Sequence, residues 1–475
     1  MKRDYKTLID GEWLTTGQTM DVVNKYSGEV FATVPLADKE LTVRAIDCAA
    51  RAFTTFRKAP AHQRAKVLEK ASELLLVRAE EIARTIALEA GKAWKFALNE
   101  VQRSAETFKF AAEEAKRGHG EMLPMDASRF GENRLGYFIR EPIGVIGAIT
   151  PFNFPLNLVA HKVAPAIAAG NTVVLKPASS TPVSAILLAE VLDEAGLPPG
   201  VFNVTIGSGA TVGDTIVTHP DCRKITFTGS VAVGGEIIKK AGIKKVTLEL
   251  GNNSATIIEA DADLAKAAAR CVVSAFANSG QVCISLQRIY VNQRVIEKFT
   301  EIFLDKVTAL KVGDPLDRDC DVGPMIDARE RERIDAWVKE AVAQGATIAA
   351  GGRAEGRVYL PTVLTGVTEE MKVMCLEAFG PVVSIVAYDD FAETLARVND
   401  SDFGLQAGIY TSDINKALTA VEELNVGGVM INDTPTFRVD QMPYGGNKLS
   451  GLGREGVRFA MEEMTNIKVV VINRN

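Results

Sequence analysis

At 475 residues the chain is too long for one simple hydrophobic core, and it implies two or three packed units. Its 47% hydrophobic and 24% charged residues suit an ordinary globular protein, while a net charge of −6 and a pI near 5.6 offer no basic footprint for a nucleic acid. The start, Met1-Lys-Arg-Asp-Tyr-Lys, runs into no apolar stretch, which argues against a signal peptide and leads us to expect a cytoplasmic protein.

Residues 38 to 118 carry Leu41, Ile46, Leu68, Leu74, Leu75, Ile82 and Ile86 at helical spacing among charges, so helices are predicted there, broken once at Pro60. Glu132 to Arg140 alternates as a hairpin strand would. Pro142 to Ala160 holds no charge over 19 residues, close to a membrane-spanning length. Its prolines 142, 151 and 155 and its Asn153 and Asn157 would break a helix and leave amides in lipid, so it reads as a buried strand and a polar-tipped loop.

Short apolar runs then alternate with helices at 145–149, 172–175, 201–206, 224–227 and 245–248, the pattern of a parallel sheet covered on both faces. Five such strands suggest a dinucleotide-binding half. A second alternation follows at 255–258, 288–291, 347–349, 382–386, 407–410 and 428–431, and defines a second α/β unit. The junction near Gly251 sets Glu249 beside the crevice between the two. The end, Lys468-Val-Val-Val-Ile472, is β-rich and would need a partner for its edge.

Chemistry points to Cys283. It follows Phe276-Ala-Asn-Ser-Gly280-Gln281-Val, where Ser279-Gly280 allows a sharp turn, and Glu249 stands 34 positions earlier. A thiol can attack an aldehyde, a hydride can leave the adduct, and a carboxylate can activate the water that hydrolyses the thioester. The other cysteines (48, 222, 271, 320, 375) form no Cys-x-x-Cys pair and the four histidines are scattered, so neither disulfide nor metal is predicted. Cys271 falls on the apolar stripe of a helix with Leu264, Ala268, Val272, Ala275 and Phe276, and reads as core.

With Asn153 in Thr150-Pro151-Phe152-Asn153-Phe-Pro, Lys176 in Lys-Pro-Ala, Gly229-Ser230 in Phe-Thr-Gly-Ser, and Glu377 in Glu-Ala-Phe379-Gly-Pro, the chain resembles the aldehyde dehydrogenase superfamily from about residue 5 to its end. The resemblance implies a Rossmann-type NAD(P)-binding domain (1–122 and 143–249), an α/β catalytic domain (250–442), and a β oligomerisation arm (123–142 and 455–475) that makes a homodimer or homotetramer. It implies Cys283 as nucleophile, the Asn153 amide and the Cys283 backbone N–H as oxyanion donors, and Glu249 as the hydrolytic base. For NAD or NADP it implies Thr150, Pro151, Phe152, Lys176, Ser179, Gly229, Ser230, Gly234, Leu250, Glu377 and Phe379. Lys176 would hold the adenosine ribose and Glu377 the nicotinamide ribose.

Three departures qualify the match. Asn252 stands where the family has a second glycine after Glu-Leu-Gly, and a left-handed turn there is expected to survive on Asn. Ser179 replaces an acid that repels the 2′-phosphate in NAD-selective members, so NADP is admitted. Gly207-Ser-Gly209-Ala-Thr-Val-Gly213 is one residue too long for a Gly-x-Gly-x-x-Gly fingerprint.

For the substrate, Arg103 and the stretch from Val429 to Arg438 resemble the lactaldehyde, non-phosphorylating glyceraldehyde-3-phosphate and phosphonoacetaldehyde branch. Arg103 and Arg438 would receive an anionic or hydroxylated tail, although Arg103 could instead pair with Glu100 or Glu106. Val282 stands where phosphate users carry Arg. A CoA-acylating relative and a catalytically retired binding protein are the competing readings, and both fit poorly with an intact Glu249.

Overall fold

Val145–Ile149, Thr172–Lys176, Phe202–Val204, Cys222–Thr228 and Lys245–Glu249 are short, β-branched-rich runs, and almost every side chain in them is buried. Burial on both faces is what a sheet sandwiched by helices requires. The computed structural model describes residues 2–118 and 120–474; Met1, His119 and Asn475 lie outside it, and with them one of the four histidines. The five strands pair in parallel in the order 202–204, 172–176, 145–149, 222–228, 245–249. A sixth, Gly451–Leu452, adds antiparallel to the last and was not anticipated. Strand order reverses between 145–149 and 222–228, so a crevice opens beyond the carboxyl ends of those two strands.

The predicted helical stretch is broken at Pro60 as expected but also at Arg78 and at Gly91, where φ is 70°, giving Lys39–Phe56, Ala61–Val77, Ala79–Ala90 and Trp94–Ala115, with Asp38 capping the first through Leu41 N–H at 2.8 Å. Ahead of them lie five short strands between Arg3 and Pro35 that periodicity did not reveal. Thr7 and Asp10, at the ends of strand Thr7–Ile9 and its turn, hydrogen-bond Val204 and Asn203, so this hairpin covers the free edge of the parallel sheet.

The second sheet has seven strands, ordered 347–350, 362–365, 382–388, 288–292, 255–258, 406–410, 428–431, parallel except for the first. Thr362–Thr365 is the one not foreseen, a four-residue run wedged between Pro361 and Gly366. Glu121–Leu123, Arg134–Pro142 and Thr465–Asn473 form a separate antiparallel sheet, in which Thr465 pairs with Pro142 and Asn473 with Arg134. Among the described residues no helix is long and apolar enough to cross a membrane. The uncharged segment 142–160 is the buried strand, a loop, and the start of helix Asn157–Ala169.

Candidate active site

The helix Leu264–Phe276 stops at Ala277, and the chain then turns through Asn278 (φ 50°), Ser279 (φ 56°) and Gly280 (φ 69°). Three successive left-handed residues cost energy, about 1–3 kcal/mol for each that is not glycine. Tertiary bonds fix them: Asn278 Nδ2 donates to Asn153 O at 3.2 Å, and Ser279 Oγ to Gly323 O at 2.7 Å. A Cβ on Gly280 would lie 2.0 Å from Gly380 O, so only glycine fits. The turn expected at 279–280 is therefore present, and it presents Cys283 half-buried at the meeting point of two cavities.

Cys283 Sγ lies 3.0 Å from the hydroxyl of Tyr444. Burial pushes the thiol up to about 11; the Tyr444 hydrogen bond and the Arg438 charge pull it down, and Glu249 and Glu377 push it further up. Asn153 follows strand Val145–Ile149, is buried, and donates through Nδ2 to Gln281 O at 3.0 Å. An amide nitrogen carries two N–H bonds, so this contact ties Asn153 to the cysteine loop while leaving a second donor.

Glu249 ends strand Lys245–Glu249, and its carboxylate oxygens are buried with no hydrogen-bond partner among the described residues. Burial, then the charge of Glu455, raises it well above the ordinary carboxylate range, against Arg438, Lys162 and Arg454. A neutral acid beside a cleft is one of the few forms in which an unpaired carboxyl can be buried. Glu455 itself bridges Lys162 Nζ at 2.7 Å and Arg438 at 3.1 Å, and neither Lys162 nor Glu455 stood out in the sequence.

Asn252 corrects an expectation. It does not take a left-handed conformation; its backbone N–H donates to Glu377 Oε1 at 2.9 Å instead.

From Cys283 a groove runs along the carboxyl ends of the first sheet. Its near part is lined by Pro151, Phe152, Asn153, Leu250, Glu377 and Phe379. Phe152 meets Phe379 edge to face, with centroids 5.8 Å apart. Burial raises Glu377 to about 7. Pro151 and Gly229 continue into the far part, where Thr150, Lys176, Gly209 and Gly213 stand. Lys176 is almost fully buried, lowered to about 8 by burial, and its Nζ reaches only Pro177 O among the described residues.

Ser230 caps helix Val231–Ala241 by accepting from Val233 N–H, leaving the helix N-terminus facing the groove as an anion seat. A Cβ on Gly234 would come within 2.7 Å of Leu250, so glycine lets this helix approach. These features fit a dinucleotide. Ser179 donates to Gly207 O at 3.0 Å and does not line the groove, while Ala178 does; Gly209–Gly213 forms a π-turn on the groove wall, and no fingerprint loop.

On the other side of Cys283 lies a second cavity, with Phe154, Leu158, Val282 and Ile284 among its walls. Four cations face it: Lys92, Arg103, Arg270 and Arg438. Each has an acid behind it: Glu100, Asp440, Asp433 and Glu455 respectively. No acid is among the lining residues, so the cavity wall itself is cationic. Arg103 pairs with neither Glu100 nor Glu106. Its Nη2 and Nε hold Asp440 at 2.7 and 3.2 Å, because Glu100, on the buried face of the helix, is taken by Lys92 and the N–H groups of Leu156 and Asn157. Lys92 and Arg270 were missed; Arg270 adjoins Cys271 on a helix whose apolar stripe drew the reading to the core.

A thiol at the junction of a dinucleotide groove and a cationic pocket, with a polarised carboxyl nearby, defines an aldehyde-oxidising enzyme of the thioester type. The model of the aldehyde dehydrogenase family matches residues 13–470, and the chain belongs to that family. The 3-sulfolactaldehyde dehydrogenase of Priestia megaterium is 48% identical over 99% of this chain and 98% of its own. The structure of aldehyde dehydrogenase 21 from Physcomitrella patens in complex with the reaction product succinate is 42% identical, with a TM-score of 0.98 over 100% of this chain and 99% of that one. That of glyceraldehyde-3-phosphate dehydrogenase GapN from Methanocaldococcus jannaschii, complexed with NADP, is 42% identical with a TM-score of 0.93, over 96% and 100% of the two chains. This protein is an NAD(P)-dependent aldehyde dehydrogenase that oxidises a small aldehyde to its carboxylate.

Proposed function

We propose that the substrate is a small aldehyde with an anionic tail, a carboxylate or a sulfonate, and that hydroxylated aldehydes of the lactaldehyde type are also accepted. The observation that carries this is the cationic cavity wall beside Cys283, formed by Lys92, Arg103, Arg270 and Arg438 with their acids set behind. An anion entering there meets guanidinium groups that are already oriented. The 3-sulfolactaldehyde of one relative's name and the reaction product succinate bound in another's structure have this character. Val282 leaves one side of the pocket apolar, which favours a single anionic group over a phosphate ester.

In this reading Cys283 attacks the aldehyde carbon, and the second Asn153 N–H and the Cys283 backbone N–H receive the alkoxide. NAD(P), when bound, supplies the hydride acceptor. Lys176, Ser230, Gly234, Leu250, Glu377 and Phe379 would hold and orient it. Glu249 then takes a proton from the water that hydrolyses the thioester, which distinguishes this enzyme from a CoA-acylating relative. We assign the unit built on the six-stranded sheet to the cofactor and the unit built on the seven-stranded sheet to catalysis.

The antiparallel sheet of residues 121–123, 134–142 and 465–473 we assign to self-association. Its outer strand leaves Ile467, Val469 and Val471 about half exposed in one row along an unpaired edge, which a second copy would cover. We expect a cytoplasmic homodimer or homotetramer.

The test is a panel of aldehydes assayed by NAD(P)H absorbance with each cofactor. Higher kcat/KM for succinic semialdehyde than for the similarly sized butanal supports the reading. Equal values for the two would remove the anionic tail from it.

A further inference from the structure

Tyr444 plays no part in the assignments above, yet among the described residues its hydroxyl makes the one side-chain hydrogen bond to Cys283 Sγ, at 3.0 Å. Two features fix it there. Its N–H and C=O both pair with Glu455, and its ring is buried among Val282, Ile284 and Leu405. The Arg438 guanidinium lies over that ring, 3.6 Å from the centroid. Tyrosine is thus clamped between the cysteine and a cation.

We propose that Tyr444 is a catalytic residue whose hydroxyl donates to the Cys283 thiolate and, with Arg438 stacked on its ring, offsets part of the burial that disfavours that thiolate before the aldehyde binds. The proposal rests on the reading of Cys283 as nucleophile. A phenol O–H is a strong donor and a thiolate a good acceptor, whereas a thiol is a weak donor. The bond therefore favours the ionised sulfur.

Burial, and the neighbouring thiolate charge, hold the phenol well above its ordinary range, so Tyr444 keeps its proton and stays a donor while Cys283 titrates. The proton that leaves the sulfur goes to water. Of the other charged groups about Cys283, Glu249 and Glu377 oppose ionisation of the thiol, while Lys92, Arg103 and Arg270 line the same cavity and Asp327, Glu330 and Arg333 the groove on its other side. Burial raises both carboxyls, Glu249 well above its ordinary range and Glu377 to about 7. Below about pH 7 both carboxyls are largely neutral, and the sulfur then faces Tyr444 and Arg438 with little opposition from them.

The test uses the full-length enzyme without cofactor. Iodoacetamide alkylation of Cys283 is followed against pH, and the modified peptide is identified by mass spectrometry. In Tyr444→Phe, which keeps the ring under Arg438, the inflection should move up by about one pH unit, with a roughly tenfold slower reaction at pH 7.5. Cofactor binding by Tyr444→Phe, followed by NADPH fluorescence, should be unchanged, a combination that a merely structural role would not give.

Superimposable profiles for wild type and Tyr444→Phe would overturn the proposal. The assay reads the thiol itself, so it is independent of the nucleophile assignment. That assignment fails separately if alkylation of Cys283 in the wild type leaves dehydrogenase activity intact.

Discussion

Arg103→Met is the perturbation that probes the substrate pocket most directly. Arg103 covers Asp440 with two hydrogen bonds, and Asp440 also receives His161 Nε2 at 2.7 Å and Asn157 Nδ2 at 3.3 Å. Burial would raise Asp440, but the His161 hydrogen bond and the Arg103 charge outweigh it and hold the carboxyl well below its ordinary range. Removing Arg103 thus deletes a contact to the substrate tail and uncovers a charge of the wrong sign. A charge-assisted contact contributes about 1.5–3 kcal/mol. If the tail stands roughly 6–8 Å from Asp440, repulsion at an effective dielectric of about 20 adds about 2–3 kcal/mol.

The two terms together, about 3.5–6 kcal/mol, raise KM for succinic semialdehyde by roughly 300-fold or more, with propanal changed by about twofold at most. Adding Asp440→Asn removes the repulsion, so the double variant should bind the anionic aldehyde better than Arg103→Met alone, a non-additivity that only coupled residues give. Initial rates of NAD(P)H formation measure all four combinations. An equal loss for both aldehydes, or a double variant worse than the single, would refute the reasoning and make Arg103 and Asp440 elements of the fold.

Glu249→Gln should release about one NAD(P)H per site and stall as a thioester detectable by mass spectrometry. Loss of the burst would move Glu249 to an earlier step. Because Glu249 must be ionised to act and its carboxyl is raised well above the ordinary range, thioester hydrolysis in the wild type should increase with pH through that raised value; a hydrolytic rate flat from pH 5 to 9 would exclude it as the base. Asn153→Ala removes one oxyanion donor and should lower kcat by about 10²–10³, and a loss below about tenfold would leave Asn153 as an anchor for Gln281. Ser179→Glu should impair NADP far more than NAD. Equal effects would show that residue 179 faces away from the ribose, as the Ser179 bond to Gly207 O turns it in the wild type.

Much of this protein was legible locally. Strands 145–149, 255–258 and 428–431 were found with their bounds, because a buried parallel strand is a short apolar run between turn signals. Cys271 was rightly placed in the core by its helical stripe, and it is fully buried. The turn before Cys283 could be read from Ser279-Gly280, although its extension to Asn278 could not: positive φ there is held by Asn153, 125 residues away.

What the tertiary structure alone decided was which charges share a cavity. Arg103 had two acids within reach on its own helix, yet it pairs with Asp440, 337 positions along the chain. Arg270, Lys92 and Tyr444 carry no local signal, since a cation beside a core stripe and a tyrosine after a proline are common anywhere. Asn252 fell where a left-handed turn was expected and became a hydrogen-bond donor to Glu377 instead. Periodicity and turn chemistry act over a few residues, and so they fix elements and the nucleophile's setting. The electrostatics of the pocket depend on how the two sheets meet at Cys283, a geometry set by the packing of the whole chain.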